Sequence, residues 1–140
     1  MPISGAQRRR KGHDWERQVA RELRQWWSAA KRSPQYDQRS DSSKADVHAG
    51  PLMIECKRGV APHPLAALRQ AQACVDEATA KGEPIGLAVS CCKLDGKNQY
   101  KPSEAVICMA WGDFLAFLEE VMGPPRFDRD GEPLATPSVG

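Results

Sequence analysis

Long apolar runs are missing from this chain. None approaches the roughly 20 residues that a helix needs to cross a bilayer, so no membrane partner is expected. Residues 1–11 contain no apolar core of the kind a secretory leader carries, and a cytoplasmic location is expected. Metal-ligand pairs of cysteine are also missing. The five cysteines, at positions 56, 74, 91, 92 and 108, show no C-x-x-C spacing, and no histidine stands at ligand spacing from them. A structural zinc site is therefore not expected. The cysteines are odd in number and lie mostly in apolar runs, so they read as small buried hydrophobes in a reducing compartment. Strong net charge is missing as well: the total is only +2.

What is present is one domain's worth of chain. With 140 residues, 41% of them hydrophobic, a modest core can form. Charge is unevenly spread. Residues 1–58 hold 13 Lys and Arg against 7 Asp and Glu, a net of +6, whereas residues 59–140 hold 7 against 11, a net of −4. A basic half of this kind fits a phosphate-backbone footprint. The run Arg8, Arg9, Arg10 and Lys11 supplies part of it, although blocks of like charge also serve simply as solubilising tails.

The densest chemistry lies between Asp46 and Lys57. The stretch reads as two short strands around a Gly50-Pro51 turn. Side chains alternate along a strand, so Met53, Glu55 and Lys57 share one face while Leu52, Ile54 and Cys56 share the other. An acid and a base two residues apart in an apolar strand are costly unless they are paired or bind something. Asp46 lies nine residues before Glu55 and can reach it across the hairpin. Two carboxylates and a lysine at one point of a sheet suggest a divalent cation with an ammonium beside it, the equipment of a nuclease. An ordinary ion pair on a solvated edge strand is the plain alternative. The apolar Met53, Ile54 and Cys56 argue against it, because they imply burial on both faces. Arg58-Gly59 then ends the strand abruptly, as at a cleft rim.

The rest of the chain supplies a frame. Residues 1–10 read as a basic arm without fixed structure, followed by a helix over 12–31 with Trp15, Val19, Leu23 and Trp26 on one apolar line. Glu16 falls on the core side of that helix; a first-turn acid that complements the helix dipole is the alternative. Ser33-Pro34 ends the helix and a first strand is expected over 36–39. Residues 40–44 form a small polar loop in which Ser42 and Lys44 suit phosphate oxygens, though a solvated turn serves equally for each. His48 alternates onto the face of Asp46 and receives no role. A second helix is expected over 65–81, strands over 85–92 and 105–110, and a last helix over 111–122 that buries Phe114, Leu115, Leu118 and Val121. A Pro- and Gly-rich tail without fixed structure follows from 123 to 140. The order of helix, three strands, helix, two strands and helix gives one α/β domain with a central, mixed, five-stranded sheet flanked by helices.

Asp46, with Glu55-Cys56-Lys57, resembles the catalytic signature of the PD-(D/E)XK nuclease superfamily. The flanks Lys11-Gly12, Glu16 and Arg39-Ser40-Asp41-Ser42-Ser43, ahead of Ala45-Asp46-Val47, resemble archaeal-type Holliday junction resolvases and their phage-borne relatives. The similarity of order and spacing covers about residues 11–120. Ala45 stands where the signature often has proline. The resemblance implies a restriction-endonuclease-like αβββαβ core at residues 11–122 and a metal-dependent endodeoxyribonuclease. It implies catalytic Asp46, Glu55, Lys57 and Glu16. Mg²⁺, replaceable by Mn²⁺, would be held by Asp46, Glu55, the Cys56 carbonyl and Glu16. DNA contacts would come from Arg8, Arg9, Arg10, Lys11, Arg39, Ser42, Lys44 and Arg58. Gln70 stands where many members carry a Gln or Lys near the metal, although a solvent-facing glutamine is the plainer reading. The implied partners are a four-way or otherwise branched DNA and a second copy of the chain, in a bacterial cytoplasm if the gene is phage-borne. Two other readings stay open: a general nuclease on duplex or flap DNA, and a catalytically silent DNA-binding module of the same fold.

Overall fold

Helix α1 (Gly5–Leu23) begins seven residues before the expected start because Ser4 caps it. The Ser4 hydroxyl accepts the Gln7 N–H at 3.1 Å, and the Gln7 side chain accepts the Ser4 N–H at 2.8 Å. This reciprocal pair satisfies amide groups that would otherwise lack partners in the first turn. Arg8, Arg9, Arg10 and Lys11 therefore ride on a helix, not on an arm without structure. The computed structural model describes residues 4–33, 45–84, 86–96 and 101–135.

The far end of α1 also departs from expectation. The helix stops at Leu23, the Trp26 and Trp27 amides turn back onto the Leu23 carbonyl, and Arg24 Nε donates to the Ala30 carbonyl at 2.9 Å. Trp26, expected on the apolar line, is 72% exposed. Lys31 and Arg32 leave the helical pattern to form strand β1 (Lys31–Arg32), antiparallel to β2 (Val47–Ala49). Tertiary pairing overrides local helix propensity here. The strand expected over 36–39 lies outside the described residues.

Strand β3 (Leu52–Gly59) runs antiparallel to β2 and parallel to β4 (Leu87–Leu94), which pairs antiparallel with β5 (Val106–Cys108). The sheet is thus mixed and five-stranded in the order β1-β2-β3-β4-β5, as the element order implied. Helix α2 (Pro64–Ala80) makes the crossover between the parallel strands β3 and β4. Its start is set by His63, whose Nδ1 accepts the Ala66 N–H at 3.1 Å, and by Pro64 at the first helical position. Leu52, Met53, Ile54, Glu55 and Cys56 are all buried, so β3 is covered on both faces. Ala71, Cys74, Val75 and Ala78 of α2 pack with Met53, Ala88 and Ala45, and these small side chains let the helix lie close to the sheet. Helix α1 packs against β1, β2 and β3, with Trp15 2% exposed and its Nε1 donating to the Cys91 carbonyl at 3.2 Å.

The turn between β2 and β3 depends on glycine. Gly50 has φ +53°, and a Cβ there would collide with the Trp27 indole. The Trp27 ring thus lies directly against the turn at Gly50.

Residues from Trp111 onward form a second compact unit. Helix α3 (Trp111–Met122) matches its expected span, but Phe114, Leu115 and Val121, expected in a core, are exposed, and Leu118 is half-buried. One helix and a turn offer too little surface to enclose an apolar stripe within their own unit. In the segment expected as a tail without fixed structure, Asp128 Oδ1 accepts the N–H groups of Asp130 and Glu132, both at 2.9 Å. Among the described residues, no helix is long and apolar enough to cross a membrane.

Candidate active site

The hairpin register sets the site. Val47 pairs with Ile54, so Asp46, one residue earlier, arrives opposite Glu55. Two further contacts hold residues 45 and 46 against the end of β1. The Ser33 N–H donates to the Asp46 carbonyl at 3.0 Å, and the Ser33 hydroxyl donates to the Ala45 carbonyl. The Asp46 side chain then turns inward, and its Oδ2 accepts the Cys56 N–H at 2.9 Å.

Glu55 is 4% exposed, and its carboxyl is pushed up from the ordinary 4.5 to about 8. Burial is the largest cause, followed by the charge of Asp46 and the hydrogen bond between the two carboxyls. Lys57 opposes the shift and Glu16 adds to it. Lys57 Nζ stands 3.8 Å from Glu55 Oε2 with its side chain 42% exposed, so the ammonium caps a buried acid while facing outward. Opposite Glu55 on β4 is Ser90, fully buried, whose hydroxyl donates to the Pro64 carbonyl at 3.0 Å and ties the start of α2 to the site.

Glu16 reaches this cluster from α1. It is 6% exposed, and burial and the charge of Asp46 raise its pKa, while Arg32 lowers it. Arg32 Nε donates to Glu16 Oε2 at 3.0 Å. Asp46, Glu55, Lys57 and Glu16, all chosen from sequence, are therefore brought into electrostatic contact. The Cys56 thiol is an inert bystander: burial pushes it far above the usual thiol range, and the proximity of Cys91 adds to the effect.

The proposed DNA contacts are more dispersed. Arg8, Arg9 and Arg10 are exposed on the first turns of α1, and Lys11 is half-buried, about 7.5 Å along the axis from Glu16 at the usual helical rise. Arg58, next to last in β3, has its Nε at 2.9 and 3.0 Å from the two oxygens of Asp95, and Lys93 Nζ lies 3.5 Å from the same carboxylate. Its guanidinium is thus held by protein. Gln70 is exposed on α2. Arg39, Ser42 and Lys44 lie outside the described residues.

Sequence reasoning missed Arg32, Ser33 and Asp95. Arg32 and Ser33 read as the end of a helix, and nothing in the local pattern announces a partner sixteen residues away. The alternation on β4 could have flagged Lys93, a base in an otherwise apolar strand.

Among the described residues, no three His, Cys, Asp or Glu side chains are gathered closely enough to ligate one ion as they stand. The donor set nevertheless suits a hard cation. Asp46 and Glu55 offer oxygen atoms only, and the raised pKa of Glu55 favours a proton that relieves their repulsion, while Glu16 is held by Arg32. A divalent cation would take the place of that proton. No family model, curated protein or solved structure matches the chain.

Proposed function

We propose that this chain is a metal-dependent DNA endonuclease of the PD-(D/E)XK type, acting as a homodimer on four-way junctions. The observation that carries the reading is the half-buried Asp46 carboxyl set against the buried Glu55 carboxyl, with the Lys57 ammonium 3.8 Å from Glu55 at the outward edge of the same strand. A structural ion pair has no need of a second carboxyl set against the buried Glu55; such perturbed acids cluster at reactive sites.

Asp46, Glu55 and the Cys56 carbonyl would hold Mg²⁺, or Mn²⁺ in its place. When bound, the ion supplies positive charge to the phosphate and makes water more acidic. The chain's own residues do the rest. The Cys56 N–H fixes the Asp46 carboxylate in one orientation. Glu55, whose raised pKa keeps a proton on it, would have to be deprotonated to act as a ligand. Lys57, half-exposed, meets the scissile phosphate and stabilises the charge that builds in the transition state.

Nicking of supercoiled plasmid in Mg²⁺ tests the chemistry. Asp46→Asn, Glu55→Gln and Lys57→Ala should each reduce it by at least about 100-fold, in the range expected when one transition-state contact is removed. Near-normal nicking by any of the three would overturn the assignment. DNA binding without cleavage by the parent protein would favour a silent binding module.

A further inference from the structure

Arg32 carries a positive charge into the acidic cluster from an unexpected element. It sits on β1 opposite Val47, one residue before Ser33, whose N–H anchors the Asp46 carbonyl. Its Nε is committed to Glu16 Oε2 at 3.0 Å. Among the described residues its terminal nitrogens have no hydrogen-bond or ion-pair partner, no buried side-chain nitrogen is left unsatisfied, and the side chain is 21% exposed, so the second edge is not sealed from solvent. A guanidinium is planar and forked. With one edge held, the other stays oriented for a second anion at little further entropic cost. The Glu16 side chain is only 9% exposed and cannot follow solvent, which makes it a rigid anchor.

We propose that Arg32 contacts a phosphate of the bound DNA and that Glu16 positions Arg32 instead of ligating the cation. The inference rests on the nuclease reading and refines the anion-binding side of the same site. Two observations support this division of roles. The carboxyls that share a hydrogen bond are Asp46 and Glu55, whereas Glu16 hydrogen-bonds to Arg32. Drawing Glu16 onto the cation would strip a half-buried guanidinium of the only partner it has among the described residues.

The test uses the full chain, with a labelled four-way junction in Ca²⁺ for DNA affinity and calorimetry with Mn²⁺, without DNA, for cation affinity. Arg32→Gln should weaken DNA binding roughly tenfold, the worth of one charge-assisted hydrogen bond. It should lower the slope of log K against log salt by about 0.9. Arg32→Lys should restore the slope and only part of the affinity, since the charge returns without the fork. Glu16→Gln should leave Mn²⁺ affinity unchanged, weaken DNA binding, and add nothing further in an Arg32→Gln background. Thermal melting of each variant separates a missing phosphate interaction from a damaged fold, and the doubly neutral Glu16→Gln/Arg32→Gln protein leaves no unpaired buried charge. An unchanged salt slope in a folded Arg32→Gln protein overturns the phosphate contact. A tenfold drop in Mn²⁺ affinity in Glu16→Gln returns Glu16 to the cation and overturns the positioning role. A parent protein that binds no DNA overturns the nuclease reading as well, so the two failures are distinguishable.

Discussion

Asp46 Oδ2 accepts the amide N–H of Cys56, the residue immediately after Glu55, at 2.9 Å. The two carboxyls are thus brought together by the backbone of β3 and not by a free choice of rotamer. Glu55 cannot relieve the crowding by moving into water, because it is almost fully buried. It relieves it by keeping a proton. In the proposed reading a divalent cation would relieve the same repulsion.

A pH dependence follows from that proton. Glu55 titrates near 8 in the folded chain against 4.5 ordinarily, and Glu16 is raised as well. Between those limits the folded state binds more protons than the unfolded state, so stability must fall as pH rises from about 4.5 through 8. For one group the slope cannot exceed about 1.4 kcal/mol per pH unit. Melting temperature of the metal-free protein should therefore drop between pH 6 and pH 8, and Glu55→Gln should flatten the drop. A melting temperature that climbs over this interval would show that Glu55 is already ionised.

Gly50 is the second place where the site depends on backbone. Gly50→Ala would need a positive φ and would drive its Cβ into the Trp27 ring. A loss of about 1–3 kcal/mol in urea denaturation is expected. Trp27→Ala should remove the collision but not the φ penalty. In a double-mutant cycle the two substitutions should then cost less together than the sum of their separate costs. Additive costs would mean that Trp27 does not hold the turn.

Much of this architecture is legible in the sequence, for a physical reason. Alternation along Leu52 to Lys57 encodes which residues share a face, and a two-residue turn at Gly50 leaves little freedom in register, so Asp46 and Glu55 had to meet. The order of α1, the β2–β3 hairpin, α2, β4, β5 and α3 followed from periodicity and turn signals, whereas β1 reads as helix. What could not be read were the non-local pairings. Ser4 outweighed an apparently unstructured basic run, Arg32 left a helical pattern to join β2, and Asp95 captured Arg58 across 37 residues. Each depends on where distant chain arrives. The apolar face of α3 was legible as a face, but its burial was not.

The basic start of α1 permits a sharper test than removing it. Truncation would delete Ser4 and unwind the first turn, confounding DNA binding with helix structure. Arg8→Gln, Arg9→Gln and Arg10→Gln together keep good helix formers on an exposed surface. If all three reach phosphates, the slope of log K against log salt on duplex DNA should fall by about 0.9 for each phosphate no longer neutralised. The weakening should be similar for unrelated sequences, because phosphate contacts carry no base information. An unchanged slope would make this turn a solubilising surface.

Junction preference is the part of the reading that chemistry alone does not demand. A four-way junction presents four duplex arms and two exchanging strands, so resolution needs two nicks placed symmetrically, and hence two copies of a site such as Asp46–Glu55–Lys57. The chain should then bind an immobile junction far more tightly than a linear duplex of the same sequence, reading the path of the backbone instead of base edges. Competition in Ca²⁺, which should occupy the carboxylates without supporting turnover, measures that preference on intact substrate. Sedimentation of the complex should show two protein chains per junction. Strand mapping in Mg²⁺ should give paired nicks on opposed strands, equidistant from the branch point. Equal affinity for duplex and junction, with cuts scattered along the arms, would make this a general nuclease and leave the carboxylate chemistry intact.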